Sequence, residues 1–221
     1  MLIHADFSQR ASVRPADHQW VPSPQSGVER VMLDRIGAEQ ARATSLVRYR
    51  PGSRFPAHTH PDGEEILVLA GTFSEGAHHY PAGWYMRNPD GSSHAPSSAE
   101  GATLFVKLRQ MHPSERTSLR LNTRDAKNWH DEAGRQVCPL YHSAFEQVCL
   151  QRLHAGEPVF SQPPPGGAEL LVLEGTLCEG DTEWETNSWL RLPPGPCPAL
   201  ITGPTGALFY LKTGHLHAGA V

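Results

Sequence analysis

The sequence predicts an all-β protein with little helix, built from two tandem lobes. Its 20 glycines and 20 prolines break regular helices, and they are spread along all 221 residues rather than pooled in one tract. Short apolar runs such as ILVLAGTF from Ile66 and LLVLEGTL from Leu170 have the length of buried strands. These two runs are near copies of each other, which indicates an internal repeat.

The repeat keeps a constant offset of 104 residues from Gly52 to Phe105. Self-similarity at a fixed period is the sign of a repeated structural unit. We therefore place a metal-binding lobe with an N-terminal arm at residues 1–112 and a second lobe at residues 113–221, divided at the polar segment after His112. The matched pairs include Gly52 with Gly156, Gly71 with Gly175, Glu75-Gly76 with Glu179-Gly180, and Pro89-Asp90-Gly91 with Pro193-Pro194-Gly195.

The first lobe begins with a polar arm to about residue 27, which three prolines interrupt. VERVMLDRIG from Val28 and ATSLVRYRPG from Ala43 alternate in polarity around a short turn, and this pattern predicts a hairpin. The strand ILVLAGTF follows, and LFVKL from Leu104 predicts a further buried strand.

Four side chains of the first lobe have the types and spacing of metal ligands. His58 and His60 are two apart in a predicted strand, so both imidazoles leave the same face. Glu64 follows four residues after His60. His94 comes just past the turn predicted at Pro89-Asp90-Gly91, as on a strand that returns beside the first. Imidazole and carboxylate ligands suit a divalent first-row ion, so we expect one ion per chain here.

The segments that hold these residues resemble the two motifs of the cupin superfamily. The first has the form G-x5-H-x-H-x3-E-x6-G from Gly52, and the second has G-x5-P-x-G-x2-H from Gly83. The second motif of the family continues to an Asn where this chain has Ser98. HTHPDGEEILVLAGTF, YPAGWYMRNPDGSSHAP and LFVKLRQ are most similar to the cupin domain of the anti-sigma factor ChrR, over roughly residues 28–110.

This resemblance implies two tandem jelly-roll barrels, also called double-stranded β-helices. Carried over residue by residue, it makes His58, His60, Glu64 and His94 the ligands of one metal, which is zinc in ChrR. Binding of a sigma factor is not expected, because the H-x3-C-x2-C motif of that family's N-terminal domain is absent and no Cys occurs before residue 138.

The second lobe has lost the four ligands. At the fixed offset, the ligand positions hold residues that offer a cation nothing or only a weak amide: Gln162, Pro164, Ala168 and Pro198. Glu169 is one residue away from the ligand position and therefore belongs to the opposite face of its strand. We expect no metal in this lobe.

The surroundings of the metal residues are less determined by the sequence. Several apolar side chains fit either the wall of a pocket over the metal or the core: Tyr49, Phe55, Phe73, Trp84, Tyr85 and Met86. We expect the last three to lie near the mouth of the site. For Arg48, Arg50 and Arg87 we favour an outward, solvated position over a role in holding a substrate carboxylate.

Charge and composition exclude several classes of function. The 19 basic and 23 acidic residues give a net charge of -4, which leaves no basic surface for a nucleic acid. No segment has the roughly 18 uninterrupted apolar residues of a membrane span, so we expect a soluble, cytoplasmic protein. All four cysteines lie after residue 137, and we expect buried thiols rather than an oxidant-sensing pair at Cys178 and Cys197. Exposed sheet edges predict a homo-oligomer.

The predicted metal site is compatible with two functions and with a third, purely structural role. The first is a zinc-binding, ChrR-like protein with a regulatory role in sensing oxidative stress, as the resemblance implies. The alternative is a cupin dioxygenase that uses iron, manganese or nickel on a small organic substrate. The third is a structural site whose ion only stabilises one lobe. Zinc has no redox states, so the identity of the metal separates the first two.

Overall fold

The computed structural model describes residues 1–216, and these are mostly strands and the turns that join them. Residues 217–221 of the predicted second lobe lie outside the described part. The strands are, in chain order, β1 (Leu2–Ile3), β2 (Ala11–Val13), β3 (Val21–Pro22), β4 (Val28–Ile36), β5 (Arg42–Tyr49), β6 (Ser53–Arg54), β7 (His58–Thr59), β8 (Glu64–Glu75), β9 (His78–Pro81), β10 (Trp84–Asn88), β11 (Ser93–His94), β12 (Pro96–Ser98), β13 (Ala102–Leu108), β14 (Leu119–Asn122), β15 (His130–Glu132), β16 (Arg135–His142), β17 (Gln147–Leu153), β18 (Ala168–Glu179), β19 (Thr182–Glu185), β20 (Trp189–Leu192) and β21 (Ile201–Thr213).

The helical segments of residues 1–216 are two short 3-10 turns, Pro15–Asp17 and Ala126–Asn128. In that part of the chain, no helix has the length and apolarity that crossing a membrane requires. The prediction of an all-β, jelly-roll fold with little helix is confirmed.

The strands form two compact units. Unit 1 contains Met1–Ala5 and Gln19–Arg124, and unit 2 contains Asp6–His18 and the chain from Asp125 onward. This division differs from the one between residues 112 and 113 in two places. β14 pairs with β10, which keeps the chain up to Arg124 in unit 1. β2 pairs with β20, which places part of the predicted N-terminal arm in unit 2.

Unit 1 is an antiparallel barrel in which the long strands run in the order β1-β4-β5-β13-β8-β10-β14. The predicted hairpin is β4 and β5, with Val28 opposite Tyr49 and Arg30 opposite Val47. A bulge between Met32 and Asp34 interrupts their register. Short strands close one end of the barrel, where β7 pairs with β11, and β12 pairs with β6 and β8.

Unit 2 repeats this architecture in the order β15-β16-β17-β21-β18-β20-β2. β8 and β18 cover positions that are equivalent at the offset of the sequence repeat, and so do β9 and β19. The interior of unit 2 is filled by an apolar cluster that includes Val172, Leu177 and Phe209.

A glycine is required at the same point of both units. Gly71 has φ +68°, and a Cβ there would lie 2.0 Å from the carbonyl oxygen of Gly101. Gly175 has φ +72°, and its Cβ would lie 2.1 Å from the carbonyl oxygen of Gly206. Both the left-handed backbone and the close approach exclude a side chain. The repeat therefore preserves a close approach of two backbone segments in each unit.

Candidate metal centre

The predicted ligands lie on β7, β8 and β11 and in the turn between β7 and β8, all in unit 1. β7 and β11 pair so that His94 lies opposite His58. His60 follows β7, and its backbone N–H donates to the carbonyl of Ser92 at 2.9 Å. Glu64 is the first residue of β8 and lies opposite Asn88 of β10. Residues up to 36 positions apart in the sequence thus meet because β7 pairs with β11 and β8 pairs with β10.

The four side chains converge on one point. The ligand atoms of His58, His60, Glu64 and His94 all lie within 4.8 Å of one another. Nε2 of His60 is 3.1 Å from Nε2 of His94 and 3.2 Å from Oε2 of Glu64. Nε2 of His94 is 3.6 Å from the same carboxylate oxygen. Within residues 1–216, this is the cluster of His, Cys, Asp and Glu side chains that has the geometry of a metal site.

These separations fit a shared ion. Ligands at roughly 2.0 to 2.2 Å from one ion lie roughly 3 to 3.6 Å from one another when their angles are near those of a tetrahedron or an octahedron. His60 and Glu64 are buried, and His58 and His94 are half-buried. The cluster could therefore hold a divalent metal ion, although its geometry does not select one metal.

Hydrogen bonds at the Nδ1 atoms orient the imidazoles. Nδ1 of His58 lies 2.9 Å from the carbonyl oxygen of Pro56, and Nδ1 of His94 lies 2.6 Å from Oε1 of Glu75. Both partners only accept hydrogen bonds, so the neutral form of each imidazole carries its proton on Nδ1 and has a lone pair on Nε2. Nδ1 of His60 lies 3.0 Å from the hydroxyl of Ser92. This pattern is typical of histidines that ligate a metal through Nε2.

Hydrogen bonds through three further side chains connect Glu64 with His94. Arg120 donates to Oε2 of Glu75 at 3.0 Å and to Oδ1 of Asn88 at 2.7 Å. Asn88 in turn donates to Oε2 of Glu64 at 2.9 Å. Glu64 and His94 are thus held in position by the same network. Residue spacing could not identify Glu75, Asn88 or Arg120, because their contacts join strands that are far apart in the chain.

Burial and charge set the protonation of this region. Burial is the main cause that lowers the pKa of His60, although the nearby Glu64 carboxylate acts in the opposite direction. Burial acts to raise the pKa of Glu75, but its hydrogen bond with His94 and the charge of Arg120 lower that pKa overall. His60 is therefore neutral and Glu75 is ionised near pH 7.

The candidate ligands line a cavity of about 640 Å³ in unit 1. Its other walls are largely apolar and include Tyr49, Phe55 and Phe73, three of the residues considered from the sequence. The expectation that Trp84, Tyr85 and Met86 lie near the mouth is wrong. Met86 belongs to the core, Trp84 packs against Tyr80, and Tyr85 is buried on the face where it accepts a hydrogen bond from Arg87.

The three arginines singled out from the sequence do not line the cavity. Arg48 and Arg50 point outward and pair with Glu29, each with a distance of 2.9 Å, as predicted. The outward expectation for Arg87 is wrong, because this side chain is fully buried. It is paired with Glu65 at 3.1 Å and with Glu115 at 2.6 Å.

The cavity wall instead contains three arginines that the sequence did not indicate, Arg109 and the two β4 residues Arg30 and Arg35. Residues five positions apart lie on opposite faces of a regular strand. The bulge between Met32 and Asp34 inserts one residue and returns Arg35 to the face of Arg30. A bulge has no local sequence signal here, so only the structure reveals this pair.

At the equivalent positions, unit 2 offers a cation no more than one weak amide ligand, Gln162. Gln162 is exposed, Pro164 and Ala168 are buried, and Pro198 is half-buried. Glu169 points to the other side, where it accepts a hydrogen bond from the indole of Trp189 at 2.8 Å. Cys178 and Cys197 are free and half-buried. Cys197 packs against the apolar interior.

Comparison with known proteins is consistent with this architecture. A family model described as the ChrR Cupin-like domain matches residues 8–112. No curated protein matches the chain significantly.

Several solved structures share the fold at low sequence identity. A candidate dioxygenase from Nostoc punctiforme aligns with a TM-score of 0.72 and 15% identity, over 100% of this chain and 85% of that one. A bacterial pirin from Escherichia coli in complex with nickel(II) aligns with a TM-score of 0.68 and 13% identity, over 93% of this chain and 98% of the pirin. A candidate glyoxylate-induced protein from Pseudomonas aeruginosa has a TM-score of 0.69 and 16% identity, over 92% and 88% of the two chains.

Proposed function

Since this chain is a cupin-superfamily protein with a ChrR cupin-like domain over residues 8–112, we propose that it uses one divalent metal ion to act on a small organic molecule. The ligands would be His58, His60, Glu64 and His94. The observation that carries this proposal is that all four line a cavity of about 640 Å³, a volume typical of small-molecule sites. An ion that only stabilised the fold would not need such a space.

The proposed chemistry is that of a dioxygenase. Iron, manganese or nickel at this site would supply a Lewis acid with redox states and with positions open to ligands. The protein contributes orientation: Glu75 and Pro56 hold two imidazoles through Nδ1, so their Nε2 lone pairs face the cavity. Asn88 fixes the carboxylate of Glu64 in the same way.

The cavity walls have separate roles. The apolar side chains exclude water from the reacting groups and pack against the body of the substrate. Tyr49 is buried among them, and burial raises the pKa of its hydroxyl well above the ordinary value. The hydroxyl therefore keeps its proton and is available to donate a hydrogen bond to a bound molecule.

The match to the ChrR cupin-like domain favours a second candidate, a zinc protein that responds to oxidants. The two candidates differ in metal and in reaction. Zinc supports no redox chemistry, so a zinc-only protein would not consume oxygen.

The test is to purify the protein without added metal and to determine which metal it retains. Iron, manganese or nickel in the wild type, together with oxygen uptake in the presence of organic acids, supports the dioxygenase. Zinc alone, with no oxygen uptake after reconstitution with iron(II), supports the zinc protein. His94→Ala should lose the metal, whereas Gln162→Ala at the matched position of unit 2 should keep it.

A further inference from the structure

The cavity of unit 1 contains more positive charge than its own carboxylates neutralise. Arg30 and Arg35 lie on its wall, both on β4. Arg109, a third cation of the wall, is paired with Asp62 at 3.1 Å. Of the two wall carboxylates, Glu64 belongs to the candidate metal site. Glu39 therefore remains for two guanidinium groups.

Glu39 is a weak partner. Its carboxylate is 3.4 Å from a terminal nitrogen of Arg30, and its side chain is 66% exposed. Exposed ion pairs of this kind contribute little. Nε of Arg30 is buried and has no hydrogen-bond partner within the described part of the chain.

Arg35 is more deeply buried, with 3% of the residue exposed, and it donates to the carbonyl oxygen of Ala38. Burial lowers the pKa of Arg35, the charge of Arg30 lowers it further, and Glu39 acts in the opposite direction. Arginine nevertheless stays protonated in proteins. A buried cation beside another cation is costly unless an anion joins them.

The cavity that this pair lines is otherwise largely apolar. Val28, Val47, Ile66, Leu104 and Val106 line the cavity along with the candidate metal ligands. Guanidinium groups bind carboxylates through paired hydrogen bonds, and the fork of Arg suits a planar carboxylate. A phosphate dianion would be harder to bring into these apolar surroundings, because its hydration must be lost.

We propose that this cavity binds a small organic acid, with its carboxylate between Arg30 and Arg35 and its apolar body against the aliphatic wall. This inference deepens the proposed function and rests on it, since it names the substrate class of the metal site. The two arginines select the ligand by its negative charge and hold its carboxylate. The rest of the molecule then extends into the same cavity, which the candidate metal ligands also line.

The test compares carboxylic acids with their primary amides, for example hexanoate with hexanamide and benzoate with benzamide. Titration calorimetry on metal-free wild-type protein excludes binding of the acid to a metal. We expect each acid that binds to do so about tenfold or more tightly than its amide. If no acid of the panel is preferred over its amide, the proposal is overturned.

Variants locate the anion. Arg30→Met and Arg35→Met remove one guanidinium each and keep an apolar stem, and both should weaken acid binding about tenfold or more with little change for the amides. Arg48→Met is the matched control, because Arg48 lies on the adjacent strand, pairs with Glu29 and does not line the cavity. Thermal unfolding verifies that each variant is folded.

The outcomes separate this inference from the proposed function. Acid selectivity that Arg30→Met abolishes, in a protein that binds no metal, supports the anion site and contradicts the metal function. A preference for acids that appears only after metal loading and survives both arginine substitutions places the anion on the metal and overturns the inference.

Discussion

Single contacts behind the candidate ligands determine how well they are oriented. Glu75 holds Nδ1 of His94 at 2.6 Å and is itself held by Arg120. We expect Glu75→Gln to weaken metal binding about tenfold, because the amide loses the charge that fixes the imidazole. Competition titration with a chromophoric chelator measures this. Glu100→Gln, at an exposed position of the same unit, is the control, and equal affinities for the two variants would contradict the role of Glu75.

The titration of His60 predicts a pH dependence of the metal-free protein. Burial lowers the pKa of His60 in the folded state, whereas in the unfolded chain it is about 6.5. As the pH falls below about 6.5, His60 is therefore protonated in the unfolded state but stays neutral in the folded state. The free energy of unfolding should decrease across this window.

Chemical denaturation at several pH values between about 7 and 5 tests this, and His60→Gln should show a smaller decrease than the wild type. Identical slopes for the two proteins would remove His60 as the cause. In metal-loaded protein, occupancy should fall over the same range, since only neutral imidazoles bind the ion.

The sequence predicted the four candidate ligands but not the residues that support them. His58 and His60 share a face because of the period of a strand, which is a local property. Arg30 and Arg35 share a face because of a bulge, and Arg120 of β14 reaches Glu75 of β8. Those arrangements depend on pairing between distant segments, for which the spacing of residues gives no signal.

Among the elements, the repeated glycine in β8 and β18 allows a direct comparison. Gly71→Ala should lower the free energy of unfolding by about 3 kcal/mol or more, because the Cβ would meet the carbonyl oxygen of Gly101. Gly76 also has positive φ, but a Cβ there has nothing within 4 Å, so Gly76→Ala should cost only about 1 kcal/mol. Denaturant titration measures both. Similar costs would mean that the backbone angle alone requires the glycine.

The sequence repeat predicted equivalent strands in the two halves, and equivalent apolar runs do form equivalent strands such as β8 and β18. It did not predict the edge partners. β10 is paired by β14 from the segment after the first lobe, and β20 is paired by β2 from the N-terminal arm. Three or four residues at an edge are too few to carry a pattern that identifies their partner.

For the whole molecule, we expect one metal ion per chain. Unit 1 has four converging donors, and the equivalent positions of unit 2 have none that suits a cation beyond the exposed Gln162. Elemental analysis of protein dialysed against a weak chelator gives the ratio. Two ions per chain would contradict the loss of the second site, and retention of the ion by Glu64→Ala would contradict the first.

Oligomerisation stays a prediction. β1 is the edge strand of the unit 1 sheet, and Met1 and Leu2 expose 65% and 73% of their surface. Apolar side chains at an open sheet edge favour pairing with another chain. Light scattering should give a mass of at least twice 24.3 kDa, the mass of one chain. A mass of 24.3 kDa at micromolar concentration would contradict the prediction.

The placement of β2 determines when unit 2 can be completed during synthesis. Ala11–Val13 leave the ribosome about 180 residues before their partners Trp189–Arg191. At about 5 to 20 residues per second, the N-terminal segment waits roughly ten seconds or longer for its partner. Unit 1, whose last strand is β14, has all its strands available well before then. Unit 1, which carries the candidate metal ligands, can therefore fold first, while β2 stays unpaired until β20 has been synthesised.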